Sequence, residues 1–309
     1  MQLAFMLACS IAVAESSLNP VWAQTLSPRA YIISPVHSNA VNLTYSFYSG
    51  NILLDGAAPV ANATGKYSLP AFTYSHSFGL FGRSANVNAS LPYGVGHFQG
   101  TVEGIPERVY RSGLLDFTSR VSVNLRGGPA MSVQRFAKWK QKTLLGVSVK
   151  VLVPTGQYSP TKLVNWGANR WAVKPEFGYS ERWGNWLIDA YAGVWFYTTN
   201  PRFLSPPSTQ PQSEAPVGSF EGHLSYNLKP RLWFSLDGNF WFGGVTSLSG
   251  IADPATRQTG SRIGATASFP LGQHHSLKFS YNDGDYIRYG GNYQSVSVGW
   301  QYSWLKWPK

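Results

Sequence analysis

The chain has 309 residues, with 25 Lys and Arg against 14 Asp and Glu, a net charge of +11, and only 13% charged against 15% aromatic residues. An average soluble domain carries about 25% charge, and disordered chains are poor in aromatics and rich in charge, so disorder is excluded. The single cysteine, Cys9, excludes a disulfide framework and a thiolate zinc site.

The first stretch, 3–14, is apolar and small-residue rich. It has the length of a signal-peptide core and is too short to cross a bilayer as a helix. Small residues allow cleavage after Ala14 or after Ala23, and the second is preferred. Residues 1–23 are therefore expected to be a cleaved leader that carries away Cys9, and 24–309 one mature domain. Past residue 30 no apolar run approaches the roughly 20 residues of a spanning helix.

From there the recurring signal is strict apolar/polar alternation, the mark of strands with one apolar and one polar face. It opens with Val41, Leu43, Tyr45 and Phe47 against Asn42, Thr44 and Ser46. Further segments follow at 72–78, 85–91, 115–125, 145–153, 171–179, 186–197, 220–226, 232–242, 263–269, 277–282 and 295–304, twelve in all. Many have the roughly 9–11 residues of a tilted membrane strand, and the count is even. Short turns at 79–82, 181–185, 227–230 and 270–275 alternate with long Pro- and Gly-rich loops at 50–67, 92–112, 154–170, 198–218 and 243–260. The connection 126–143 is long for its place in that alternation.

Aromatics gather near segment ends, as at Tyr45, Phe47, Tyr93, Trp171, Tyr179, Trp186, Phe196, Phe240, Phe242, Trp300 and Trp304, while midpoints favour Val, Ala and Leu. Two girdles at headgroup level produce this pattern. The expected fold is all-β: an antiparallel transmembrane β-barrel of about 12 strands in the bacterial outer membrane, with short periplasmic turns and long extracellular loops. A soluble β-sandwich is the alternative, with the apolar faces turned inside.

In a barrel the polar faces line the lumen. This assigns Asp116, Arg120, Lys150, Lys174, Glu176, Asp189, Glu221, His223, Asp237, Arg262 and Lys278 to the interior, with inward aromatics Tyr191, Trp195, Tyr197, Trp233 and Trp241. The charged residues either satisfy one another or set the selectivity of a solute route. The positive balance, with Lys162, Arg170, Arg202 and Arg257 in loops, suits an anionic solute or lipopolysaccharide.

Other motifs carry less. His223 and Ser225 are two apart on one strand, as in lipases that work at the membrane boundary, but Leu224 and Tyr226 claim the lipid face and turn the pair inward. His274 and His275 point to opposite faces of an extended chain, which disfavours a shared metal. No cofactor, no metal and no nucleic-acid partner are expected, nor a catalytic residue.

Three segments carry a family resemblance: "AYIISPVHSNAVNLTYSFY" (30–48), "LPAFTYSHSFGLFGRSANVNASLPYG" (69–94) and "GVSVKVLVPTGQY" (146–158). With Pro-Arg-Ala-Tyr at 28–31, Trp-Ala-Val-Lys-Pro-Glu at 171–176 and Gly-Asn-Trp at 184–186, the chain resembles the outer-membrane transporters named for the meta-cleavage pathway of phenol degradation, over roughly 27–305. The resemblance implies an outer-membrane barrel, inserted by the barrel-assembly machinery, that passes small hydrophobic or aromatic compounds. It transfers no catalytic motif. A lipase-type enzyme built on His223 and Ser225, and a closed barrel acting through its loops, are the alternatives.

Overall fold

A computed structural model describes residues 26–53, 60–102, 104–162, 164–204 and 210–305. The expected leader and Cys9 lie outside the described residues. The strands are β1 (Ser38–Leu53), β2 (Val60–Leu80), β3 (Arg83–Val102), β4 (Ile105–Leu114), β5 (Phe117–Arg126), β6 (Thr143–Val153), β7 (Ala172–Trp183), β8 (Trp186–Tyr197), β9 (Asn200–Leu204), β10 (Gln210–Glu214), β11 (Val217–Lys229), β12 (Leu232–Gly243), β13 (Thr246–Leu248), β14 (Ile251–Asp253), β15 (Gln258–Leu271), β16 (His275–Ile287) and β17 (Gly290–Leu305). One short helix, α1 (Val133–Lys138), lies between β5 and β6.

Every large strand pairs antiparallel with its neighbours, and β1 closes the ring onto β17 from Ser38↔Leu305 to Leu53↔Gly290. The result is a closed twelve-stranded barrel. Its fourth strand is split: β3 pairs with β4 above (Tyr93↔Leu114) and with β5 below (Ser90↔Thr118), and the break falls at Leu115 and Asp116.

Alternation decides which side of the wall each residue takes. Leu43, Phe72, Val149, Leu236, Ile263 and Val296 stand exposed on the outside, while their polar neighbours turn inward. An outer face this apolar belongs in lipid, and closure of the ring leaves no backbone edge there without a hydrogen-bond partner. The hairpin β2–β3 turns through Phe81 (φ 48°) and Gly82 (φ 74°), the two positive values that a tight two-residue turn requires.

The ring departs from the sequence expectation above the membrane. Much of 50–67 and 92–112, read as loop, is strand: β1, β2, β3 and β4 continue upward as a tall wall. The long loops at 198–218 and 243–260 contribute β9, β10, β13 and β14, a separate four-stranded sheet. Beyond the bilayer the lipid no longer imposes one apolar face, so strands there carry no clean period-2 signal. The long connection 126–143 holds α1; Phe136 in the helix and Trp139 just after it pack against Ile33, Met131 and Leu144.

Candidate functional site

Residues 26–37, between the expected leader and β1, lie inside the barrel. The segment turns at 28–31 and forms no strand, so its backbone donors and acceptors must be met by other partners when it is buried. The Ser27 N–H donates to Glu221 Oε2 at 3.2 Å, the Arg29 N–H to Asp189 Oδ2 at 3.3 Å, and the Ala30 N–H to the Tyr191 hydroxyl at 3.0 Å. Arg120 Nη1 donates to the Ala30 carbonyl at 3.1 Å, and Asn124 Nδ2 to that of Tyr31 at 3.3 Å. The Tyr31 hydroxyl lies 2.9 Å from Ser148 Oγ and donates to Glu176 Oε1 at 3.0 Å. Arg29 covers the Trp233 ring at 4.1 Å and Arg120 the Tyr31 ring at 4.5 Å. At its periplasmic end the segment is held by the Val36 N–H on the Met131 carbonyl.

Gly178 makes room for this segment. A Cβ there would sit 2.2 Å from Tyr31 Cε2, so any side chain at 178 would collide with the ring.

The charged wall is a network. Lys174 Nζ contacts Glu176 at 2.7 Å and Glu221 at 3.3 Å, and Arg120 reaches Glu176 at 3.5 Å. Asp237 accepts from Ser235 Oγ at 2.6 Å and Thr266 Oγ1 at 2.7 Å, and its Oδ1 lies 2.9 Å from His223 Nδ1. Lys150 Nζ lies 5.7 Å from the Trp195 ring. Lys174, Asp189, Glu221, His223, Asp237 and Arg262 are buried, while Lys278, near the periplasmic mouth, is exposed.

These groups form an arc. They come from β5 to β16, while the inward positions of β17, β1, β2 and β3 are neutral. On that neutral side Asn42, Thr44, Thr73, Ser75, Asn86, Asn88, Ser297 and Gln301 remain half-exposed although they face inward. The segment 26–37 thus covers the charged residues of β5, β7, β8 and β11 and touches the neutral wall at Ser77, which takes Ser34 Oγ and the His37 N–H, while the side chains named above stay half-exposed.

Higher in the barrel, aromatics close the lumen. Tyr67, Phe98, Trp166 and Tyr293 form one buried cluster with Leu69, Leu115 and Val164, flanked by Tyr48. Trp195 and Trp241 anchor a second with Leu152 and Val217. The ring nitrogens of Trp166, Trp195 and Trp241 are buried with no hydrogen-bond partner. Trp166 sits flat on Gly94, where a Cβ would meet its ring at 2.5 Å.

Trp166 arrives on the loop 154–170, which folds inward. Asp116, in the break between β4 and β5, pins both ends of that loop. Its Oδ1 accepts from the Gly156 N–H at 2.8 Å and its Oδ2 from the Ala168 N–H at 2.7 Å. Asp116 is therefore a buried anchor at the split strand. Tyr158 on the same loop donates to the carbonyls of Arg202 and Phe203, and burial pushes its phenol above the usual range. Arg170, a candidate surface cation in the sequence reading, is instead buried against Glu214 beside the Tyr197 ring, while Lys162, Arg202 and Arg257 are exposed.

Of the aromatics assigned to the lumen, Tyr191, Trp195 and Trp241 are buried, Tyr197 is half-buried, and Trp233 is half-buried under Arg29. Sequence reasoning missed the segment 26–37 and the cluster around Tyr67, Phe98, Trp166 and Tyr293. One signal was present: Gly146 and Gly178 face each other on neighbouring strands in a wall of larger residues. His223 is engaged by Asp237, and Ser225 Oγ is buried with no partner, so the two do not form a nucleophile–base pair.

The family described as "Putative MetA-pathway of phenol degradation" matches residues 55–298. The chain belongs to this family. Its fold is shared with the COG4313 outer membrane channel from Pseudomonas putida F1, at 16% identity and a TM-score of 0.74, covering 91% of this chain and 100% of that one. The transport unit of the autotransporter AIDA-I from Escherichia coli is similar at 11% identity and a TM-score of 0.53, covering 93% and 96%. The comparison with curated proteins gives no match. The phenol-degradation family member described above thus has the architecture of an outer-membrane barrel.

Proposed function

We propose that the protein is a bacterial outer-membrane channel for small apolar or aromatic compounds, driven only by their concentration gradient. The observation that carries this reading is the paired closure of the lumen. A neutral hydroxyl- and amide-lined wall keeps half-exposed side chains inside the barrel, and above it the route meets Tyr67, Phe98, Trp166 and Tyr293 opposite Trp195 and Trp241. A flat apolar ring can slide among aromatic faces where a hydrated ion would lose its shell. The unpartnered indole N–H groups add donors for a solute that carries one acceptor.

Membership of a phenol-degradation family and the fold of a solved outer-membrane channel support the same reading. It entails export by a leader over 1–23, insertion by the barrel-assembly machinery, and lipopolysaccharide around the extracellular rim. The charged arc then serves to seat the segment 26–37, and the neutral wall carries the solute.

The test is uptake of an apolar aromatic dye by cells whose lipopolysaccharide normally slows its entry. Cells that carry the chain should take it up at least twofold faster than cells with an empty vector, while single-channel current in a planar bilayer stays small. Equal uptake rates, with the barrel folded and present in the outer membrane, would remove the transport reading.

A further inference from the structure

The excess positive charge is not spread over the molecule. At the periplasmic end, Arg83, Arg126, Arg135, Lys138, Lys140, Lys142, Lys229 and Arg231 are all exposed, against one acid, Glu181. Among the described residues, none of these eight cations forms an ion pair. Five of them, Arg126, Arg135, Lys138, Lys140 and Lys142, belong to the connection 126–143 that holds α1. The apolar side of that connection is spent on the barrel mouth through Phe136 and Trp139, which leaves Arg135, Lys138, Lys140 and Lys142 outward.

The strand ends repeat one pattern. Phe81, 95% exposed, precedes Arg83; Leu125 precedes Arg126; Leu228 precedes Lys229. Trp183 and Trp186 stand exposed on the β7–β8 hairpin at the same end. At Leu125–Arg126 and Leu228–Lys229 the strand runs out of the wall from an apolar group to a cation, and in the β2–β3 turn Phe81 stands bare beside Arg83; apolar groups next to cations are the arrangement met at headgroup level. A soluble acidic partner would be matched by the cations alone and would leave the bare Phe81 ring unexplained.

We propose that this basic rim, centred on the α1 connection and flanked by the β2–β3 and β11–β12 turns, binds anionic phospholipid headgroups of the periplasmic leaflet. The proposal rests on the membrane-barrel reading and is independent of what passes through the lumen. Each cation near a lipid surface raises affinity for anionic lipid about fivefold. Three reversed charges therefore exceed the resolution of a binding measurement.

The full chain, refolded in non-ionic detergent, would be titrated with phosphatidylglycerol or with phosphatidylcholine of the same acyl chains, and lipid retention followed by native mass spectrometry. The expected result is at least tenfold preference for phosphatidylglycerol. That preference should fall severalfold in high salt and vanish in the Lys138→Glu/Lys140→Glu/Lys142→Glu variant. A heat-modifiable gel shift establishes that each variant has refolded. If the reversed variant does not refold, the corresponding Gln variant carries the same test. Equal retention of the two lipids by the native chain overturns the proposal, as does a preference undiminished by loss of the three lysines. Equal lipid retention together with salt-sensitive binding of an acidic soluble protein assigns the patch to a protein partner, which also overturns it.

Discussion

Asp237 has both carboxylate oxygens committed, to His223 and Ser235 on one and Thr266 on the other, at a fully buried position between β11 and β15. Removing one partner of a buried charged pair leaves the other uncompensated and costs roughly 3–5 kcal/mol. Asp237→Ala should lower the urea stability of the barrel by about 3 kcal/mol. Asp237→Asn, which keeps an acceptor, should cost less than half of that. Equal stability of all three chains would show that the pair does not brace the wall. Gly178 tests the neighbouring contact. A Val there cannot coexist with Tyr31, because even its Cβ falls 2.2 Å from the ring. Gly178→Val should dislodge the segment around Tyr31 without breaking the β-ladder, since Val is a good strand former. The expected outcome is several-fold faster limited proteolysis within 26–37 than in the native chain, and unchanged protection would mean that the fit of the Tyr31 ring does not seat the segment.

Among the elements, the loop 154–170 depends most on one side chain. Hydrogen bonds to a charged acceptor are worth about 1.5–3 kcal/mol each, and Asp116 accepts one from each end of this loop. Asp116→Ala should therefore raise the rate of limited proteolysis between 157 and 165 by more than tenfold, with the barrel itself left protected. An unchanged cleavage rate would show that Trp166 packing alone holds the loop. The same element shows how far the sequence could be read. Every membrane strand was legible, because lipid outside and polar groups inside force a period of two on each, as in 145–153 and 232–242. Asp116 was legible as an inward charge. Its role as an anchor was not, because a contact between 116 and the N–H groups of 156 and 168 leaves no periodic trace. The segment 26–37 was illegible for a related reason: it is held by scattered side chains of several strands and adds no ladder of its own, so neither face alternates.

At the scale of the whole molecule, the barrel divides its interior lengthwise. The N-terminal segment lies over the acids and bases of β5, β7, β8 and β11, and the wall of β17, β1, β2 and β3 carries neutral, half-exposed inward side chains. This division makes a prediction that separates the two walls. Ser297, half-exposed on β17, donates at 2.7 Å to the Oγ of Ser46, its cross-strand partner on β1 in the neutral wall. A Phe at 297 would project into that space while β-pairing with β16 and β1 continues, since aromatic residues suit strands. Ser297→Phe should cut dye uptake to less than half of the native rate. Glu221→Gln on the opposite wall removes a charge but little volume, and should leave uptake within about twofold while weakening the hold on Ser27. The reverse ranking, with Ser297→Phe neutral and Glu221→Gln severe, would place the solute route along the charged arc, and the N-terminal segment would then have to move each time a solute passes.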